Sequence, residues 1–258
     1  MHYSIPISQS QRKLIKSLYR KDKREEHDLF IAEGLKLCEE VLDSDFHVIQ
    51  LIVRESPSKS IVQLADKYND IGVPVYSAPK HKFRQIVKQT SPEGIVAVVG
   101  LKELDFEPNE SFIALDGVSD PGNVGTIIRT AEWYGVNQVF LGAESADQFS
   151  PKVVRSSMGS VFRVKVLYKE DLAGFIKENF SDIDIYAADS NAKTPIEKLK
   201  HGKKFGIVFG SESHGLSDEL QELVKDNYIL DGKGSSESLN VAISAGISLH
   251  YFAKNGKK

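Results

Sequence analysis

The chain has a single cysteine, Cys38, among 258 residues. No intrachain disulfide framework is therefore available, and a reducing cytoplasm is the expected setting. No uninterrupted apolar run reaches the roughly 18 residues that a membrane-spanning helix needs, so no membrane partner is expected. The first residues, M-H-Y-S-I-P-I-S, lack the basic and then apolar blocks of a secretory signal. The seven histidines are scattered without C-x-x-C or H-x-x-x-H spacing, so neither a structural zinc site nor any other metal is expected. The phosphate loop G-x-x-x-x-G-K-[ST] is missing, and no G-x-G-x-x-G follows the apolar run at 112–116, which argues against nucleoside triphosphate and dinucleotide chemistry. Excess positive charge is missing too. The formal net charge is −3, too acidic for a protein that holds nucleic acid by bulk charge alone.

What is present is organised in two parts. Residues 1–105 alternate helical and strand patterns. Leu14 to Tyr19, then Leu35, Cys38, Val41 and Leu42, then Ile61, Leu64, Ala65 and Tyr68, carry helical spacing. V-I-Q-L-I-V (48–53), V-P-V-Y (73–76) and I-V-A-V-V (95–99) read as strands, with a further helix near His81 to Lys88. The segment 101–110 is polar, contains Pro108 and reads as a linker. From 106 to 258 the strand candidates are 112–116, 138–141, 164–167, 183–188 and 205–209, near-continuous apolar runs separated by helical stretches. That pattern predicts a buried, mainly parallel sheet, in which ligands bind where loops leave the carboxyl ends of the strands. In the first part, Arg12, Lys13, Lys16, Arg20, Lys21, Lys23 and Arg24 crowd into thirteen positions opposed only by Asp22. From charge alone the segment is either the solvated face of an amphipathic helix or an RNA-binding patch.

Three loops in the second part carry the residues suited to chemistry. In D-P-G-N-V-G-T-I-I-R-T-A (120–131), Pro121 and Gly122 form a turn, Asn123 is placed to cap the following helix, and Arg129 follows within about two helical turns. The stretch F-G-S-E-S-H-G-L-S (209–217) opens a helix that Ser217 could cap, and Glu212 is an acceptor in a glycine-flanked turn. Its Ser213-His214 pair satisfies no G-x-S-x-G and makes no triad. The third, G-K-G-S-S-E-S-L-N-V (232–241), leads into a helix in which Val241, Ala245, Ile247, Ser248 and Leu249 mix small and apolar residues suited to close packing. Taken singly, each loop is equally well read as an ordinary cap, surface turn or amphipathic helix start.

Together, N-x-G-x-x-x-R-T-A (123–131), F-G-S-E-x-x-G-L (209–216) and G-x-x-x-S-L-N-V (234–241) resemble, in order and separation, the three motifs of the SpoU (TrmH) family of RNA ribose 2′-O-methyltransferases in the SPOUT superfamily. Residues 1–105 also resemble that family's L30e-like RNA substrate-binding domain, so the likeness spans nearly the whole chain. It implies an α/β fold with a mainly parallel sheet and a C-terminal deep trefoil knot in 106–258, behind the small L30e-like α/β domain. It implies S-adenosylmethionine as cofactor, a homodimer, and a structured RNA substrate, with large-subunit ribosomal RNA ahead of transfer RNA. A catalytically inactive RNA-binding or ribosome-assembly protein of the same fold is the alternative.

Carried over by motif, catalysis falls to Asn123, Arg129, Glu212, Ser238 and Asn240, and the cofactor pocket to the backbone near Gly210, Leu230 and Leu239. The family commonly has Ile-Pro-Met before the glycine of the third motif, whereas this chain has Leu230-Asp231-Gly232. A pocket built from backbone groups tolerates that change. With an RNA-binding first domain, the basic group Arg20, Lys21, Lys23 and Arg24 becomes a candidate for gripping the RNA backbone.

Overall fold

The computed structural model of the protein describes residues 5–232, 234 and 238–255. In chain order the first stretch forms α1 (Gln9–Ser17), α2 (Lys21–His27), β1 (Leu29–Glu33), α3 (Leu35–Leu42), β2 (Val48–Arg54), α4 (Lys59–Asp70), β3 (Val75–Ala78), α5 (Lys80–Ile86) and β4 (Ile95–Gly100). Then come β5 (Phe112–Leu115), α6 (Pro121–Trp133), β6 (Gln138–Leu141), α7 (Pro151–Ser156), β7 (Lys165–Tyr168), α8 (Leu172–Asn179), β8 (Ile185–Ala188), β9 (Gly206–Phe209), α9 (Asp218–Gln221), β10 (Asp226–Tyr228) and α10 (Val241–Asn255). These elements form two compact units. The first is Met1–Glu103 with Phe149–Phe162, and the second is Leu104–Gln148 with Arg163–Lys258.

The first unit is a four-stranded mixed sheet in the order β1-β4-β2-β3, in which β4 runs antiparallel to both neighbours and β3 parallel to β2. Alternation along the strands sends Ile31, Ile52, Val96 and Val98 to one face. There they pack with Ile15 of α1, Leu18, and Phe83 and Ile86 of α5 in one buried cluster. Helices α3 and α4 pack on the same strands but take no part in that cluster, so they cover the other face. A reciprocal cap fixes the start of α1: Gln11 N–H donates to Ser8 Oγ at 3.2 Å and Ser8 N–H to Gln11 Oε1 at 2.9 Å. Within the inserted segment, Phe149 and Phe162 stack on Phe30 of β1, at ring-centroid distances of 4.7 and 6.2 Å.

The second unit is a six-stranded sheet in the order β10-β8-β9-β5-β6-β7, parallel at every pairing. The four residues of β5, β6 and β9 are all buried, as strands covered on both faces must be. A phenylalanine cluster gathers Phe112, Phe140 and Phe180 against α8, with Phe112 and Phe180 centroids 4.5 Å apart. Helix α10 packs along α6.

The expected α/β architecture with a parallel sheet is the one found, and 101–107 is irregular as the linker composition predicts. Three elements escape the periodicity. β1 is five residues set between charged segments, α2 is a charged helix with almost no apolar face, and β10 is three residues, D-N-Y, of mostly polar character. The strand expected at 73–76 lies at 75–78 instead, since Pro74 has no N–H to give a ladder.

Candidate active site

Strands β5 and β9 are direct neighbours, with Leu115 opposite Phe209, so the loops leaving their carboxyl ends emerge side by side. Asp116, one residue past β5, ties them together. Its N–H donates to the Phe209 carbonyl at 2.9 Å, and its Oδ2 accepts from Ser217 N–H at 2.7 Å. Helix α6 then starts at Pro121, whose missing N–H is no loss in a first turn. The cap is Asp120 and not Asn123: Asp120 Oδ1 accepts from the N–H groups of Gly122 at 2.7 Å and Asn123 at 3.0 Å. The D-P dipeptide was the available signal for this. With Asp120 as the cap, the Asn123 side chain is left for another use. Ser217 likewise occupies the cap position of α9 without making a side-chain cap bond.

That use is a junction of all three loops. Asn123 Nδ2 donates to Glu212 Oε1 at 2.8 Å, and Asn123 Oδ1 accepts from Asn240 Nδ2 at 3.0 Å. Asn240 Oδ1 in turn accepts from Ala242 N–H at 2.9 Å, at the start of α10. The amide orientations follow from chemistry. An ionised carboxylate only accepts and a backbone N–H only donates, so each end of the chain of bonds fixes the next group. The third motif is thereby anchored to the first, and the first to the second, through one side chain.

Arg129 stands outside this network. It lies six residues beyond Asn123, so about 9 Å along the helix and about 120° around it. It is exposed, and among the described residues it makes no hydrogen bond or ion pair. The two hydroxyls beside it on α6 are committed to the helix, Thr126 Oγ1 to Gly122 O at 2.8 Å and Thr130 Oγ1 to Thr126 O at 2.7 Å. A cation presented in this way is available to a ligand.

Beside the junction, at the carboxyl ends of β8, β9 and β10, lies a cavity of about 910 Å³, lined by Asp189, Gly210, Glu212, Leu230, Ser238 and Leu239 among others. Gly210 can be nothing larger. A Cβ there would sit 2.1 Å from the Gly215 carbonyl carbon, because the chain doubles back and Ser211 and Gly215 exchange both backbone hydrogen bonds at 3.0 Å. Among the described residues, the backbone groups of Gly210, Leu230 and Leu239 enter no hydrogen bond. Unpaired polar backbone at residues that line a cavity is what a ligand rich in hydrogen-bonding edges requires. Leu239 is also 47% exposed, an apolar side chain at the cavity rim. Ser238 is exposed, whereas residues 233 and 235–237 of the same loop lie outside the described residues. Ser213 Oγ and His214 Nδ1 are 2.8 Å apart, and among the described residues no third group completes a relay. A second cavity of about 520 Å³ opens at the amino ends of the strands, beside Ser111, Asn137, Lys165 and Phe205, away from the three loops. Among the described residues, no cluster of three His, Cys, Asp or Glu side chains could hold a metal, and no helix is long and apolar enough to cross a membrane.

The basic group at 20–24 is differently disposed from the expectation. Arg20 pairs with Asp22 at 2.7 Å, Lys21 with Glu25 at 3.8 Å, and Lys23 with Glu26. Arg24 is not a surface cation at all. It is 3% exposed and donates through Nη1 to the Leu18 carbonyl at 2.8 Å, so it closes the end of α1.

The profile of the SpoU rRNA Methylase family matches residues 110–250, and that of the MRM3-like substrate binding domain matches residues 10–97. The chain is 29% identical over 240 residues to the 23S rRNA (guanosine(2553)-2′-O)-methyltransferase RlmP of Bacillus subtilis (strain 168), covering 92% of this chain and 93% of that one. Among solved structures, a putative RNA methyltransferase of the TrmH family from Porphyromonas gingivalis superposes with a TM-score of 0.82 at 32% identity, over 95% of this chain and 98% of that one. The AdoMet-bound rRNA methyltransferase from Sinorhizobium meliloti gives 0.83 at 29% identity, over 96% and 95%.

Proposed function

Because the chain belongs to the SpoU rRNA methylase family, we propose that it transfers the methyl group of S-adenosylmethionine to a ribose 2′-hydroxyl of large-subunit ribosomal RNA. The observation that carries this reading is the junction at Asn123, which ties three loops together on the helix that bears the exposed Arg129, with Glu212 of the same junction lining the cavity. The cavity's size and its free groups at Gly210, Leu230 and Leu239 fit the cofactor. The change to Leu230-Asp231-Gly232 leaves a pocket of this backbone type intact. Bound there, S-adenosylmethionine supplies an electrophilic methyl on a sulfonium.

The chain's own residues have the task of alignment and charge. Arg129 holds the phosphate next to the target ribose and steadies the alkoxide as it develops. It is not the base, since a guanidinium stays charged in proteins and offers donors but no acceptor. The hydroxyl proton passes to phosphate or water. Asn123, Glu212 and Asn240 set the loops rather than touch the reacting atoms, and Ser238 faces the RNA phosphate at the rim of the cavity. The same reading includes the family's C-terminal knot, action in the cytoplasm, and a homodimer that completes the site across its interface. The apolar strip of Ile243 and Ile247, 54% and 43% exposed one helical turn apart on α10, and Trp133, 83% exposed at the end of α6, support that pairing.

The test is transfer from methyl-labelled S-adenosylmethionine to unmodified, transcribed 23S rRNA, with digestion to nucleosides. The expected product is a 2′-O-methylated nucleoside. Arg129→Ala should make none while binding cofactor within about twofold of the parent in calorimetry. A comparable loss of cofactor affinity would refute that division of labour. RNA binding without turnover in the parent protein would favour the assembly-factor reading.

A further inference from the structure

Helices α1 and α5 share one buried cluster on one face of the four-stranded sheet, so their outer surfaces lie side by side on the first unit. Two contacts tie the seam. Arg12 Nη1 donates to Gln85 Oε1 at 3.1 Å, and Lys88 N–H donates to the Tyr19 hydroxyl at 3.0 Å with Lys88 Nζ 4.7 Å from the centre of the Tyr19 ring. Arg12 to Tyr19 and Gln85 to Lys88 therefore run in the same direction, with Lys16 one turn beyond Arg12.

This surface has a charge that no acid on its own two helices balances; the one carboxylate beneath it, the buried Glu33, accepts from the Tyr19 hydroxyl and faces Lys88 alone of these cations. Helix α1 carries Arg12, Lys13 and Lys16, helix α5 carries Lys80, Lys82 and Arg84, and Lys88 follows it, with no Asp or Glu on either helix. The first acid in the chain is Asp22, and none occurs between Asp70 and Glu93. Among the described residues, Lys13, Lys16, Lys80, Lys82 and Arg84 have no hydrogen bond or ion pair. The other helical face of the unit differs: α3 and α4 hold Lys36, Lys59 and Lys67 against Glu39, Glu40, Asp66 and Asp70. Helix α2 is neutral as well, and its cations are already paired or buried.

We propose that the α1–α5 seam, and not the 20–24 segment, is the surface by which the first unit grips the RNA phosphate backbone. This rests on the reading of the chain as an RNA methyltransferase and says where its substrate is held. A cation already sharing a carboxylate releases few counterions when phosphate replaces that partner, whereas an unpaired one contributes its full share to binding. The seam gives affinity without sequence choice, since lysine and arginine on phosphate read no base.

The test compares two triple variants of the full chain, Lys13→Gln, Lys16→Gln, Arg84→Gln and Arg20→Gln, Lys21→Gln, Lys23→Gln, by filter binding to transcribed 23S rRNA across a KCl series. The seam variant should lose at least about tenfold in affinity and flatten the log–log salt slope by about two. The 20–24 variant should stay within about threefold of the parent. Circular dichroism spectra and unfolding curves that match the parent report that the first unit of each is folded. Equal losses, or a loss confined to the 20–24 variant, would overturn the proposal. So would an unchanged RNA slope with loss of binding to phosphatidylglycerol vesicles, which would assign the seam to a lipid surface. Methyl transfer is read in the same samples. A steep seam-dependent slope without transfer strikes the proposed reaction and leaves the surface, and transfer with equal slopes does the reverse.

Discussion

Asn123 illustrates how much one side chain is asked to do when its backbone duty is taken by a neighbour. With Asp120 capping α6, the Asn123 amide can donate to Glu212 and accept from Asn240 at once. Only an amide offers both roles in that orientation. Asn123→Asp replaces the donor with a second carboxylate 2.8 Å from Glu212. Two like charges so close cannot both stay ionised cheaply, so one pKa rises. The variant should transfer methyl groups at least about tenfold more slowly at neutral pH, and its rate relative to the parent should climb as pH falls and the pair takes up a proton. Rate profiles for the two proteins measured across the acidic to neutral range check this, and parallel profiles would count against the junction. Gly210 makes a steric case at the same scale. A methyl group there meets Gly215 backbone at 2.1 Å, and backbone cannot step aside as a flexible side chain does. Gly210→Ala should abolish cofactor binding in calorimetry by opening the turn between Ser211 and Gly215, and retained affinity would show that the turn does not shape the pocket.

Among the elements, the long apolar patterns were legible and the short polar ones were not. Strands β5, β6 and β9 announce themselves because burial on both faces demands apolar residues throughout. β10, with sequence D-N-Y, takes its place by pairing with β8, a fact of tertiary context that three residues cannot signal. It matters to the site, since the cavity opens at its carboxyl end, and a buried bond joins it to α10. Tyr228 Oη donates to Ser248 Oγ at 2.7 Å, and Ser248 Oγ donates to the Ser244 carbonyl at 2.7 Å, with Tyr228 and Ser248 fully buried. Removal of the two partners should therefore differ in cost. Tyr228→Phe leaves the Ser248 hydroxyl still bonded within its helix, for about 1 kcal/mol, whereas Ser248→Ala strands the phenol in the core, for about 1–3 kcal/mol. Denaturant unfolding should rank Ser248→Ala as the less stable. The opposite order would mean that the bond does not anchor α10 to the sheet edge. The burial also pushes the Tyr228 phenol well above its usual range, so it stays a donor at any working pH.

At the scale of the whole molecule, the sequence carries the three motifs but not the reason they meet. That reason is strand order. β9 lies beside β5 although 90 residues separate Leu115 from Gly206, and only this adjacency brings Glu212 to Asn123. Strand order is set by which surfaces bury best, which no local period encodes. The return of Phe149–Phe162 to the first unit is of the same kind, since its aromatics find Phe30 and Phe46 across more than a hundred residues. Charge is the reverse case. The basic segment was visible as composition, yet its meaning changed once pairing and burial showed which cations are spent and which are free. We propose that the junction at Asn123 and the exposed Arg129 form a ribose methylation site acting on large-subunit RNA. The most direct measurement is a map of 2′-O-methyl positions in total RNA from cells lacking the gene and complemented with either the parent or the Arg129→Ala protein. One large-subunit position should lose its methyl group in the deletion, regain it with the parent and stay bare with the variant. A map identical in all strains, or a lost mark on a base instead of a ribose, would contradict the account.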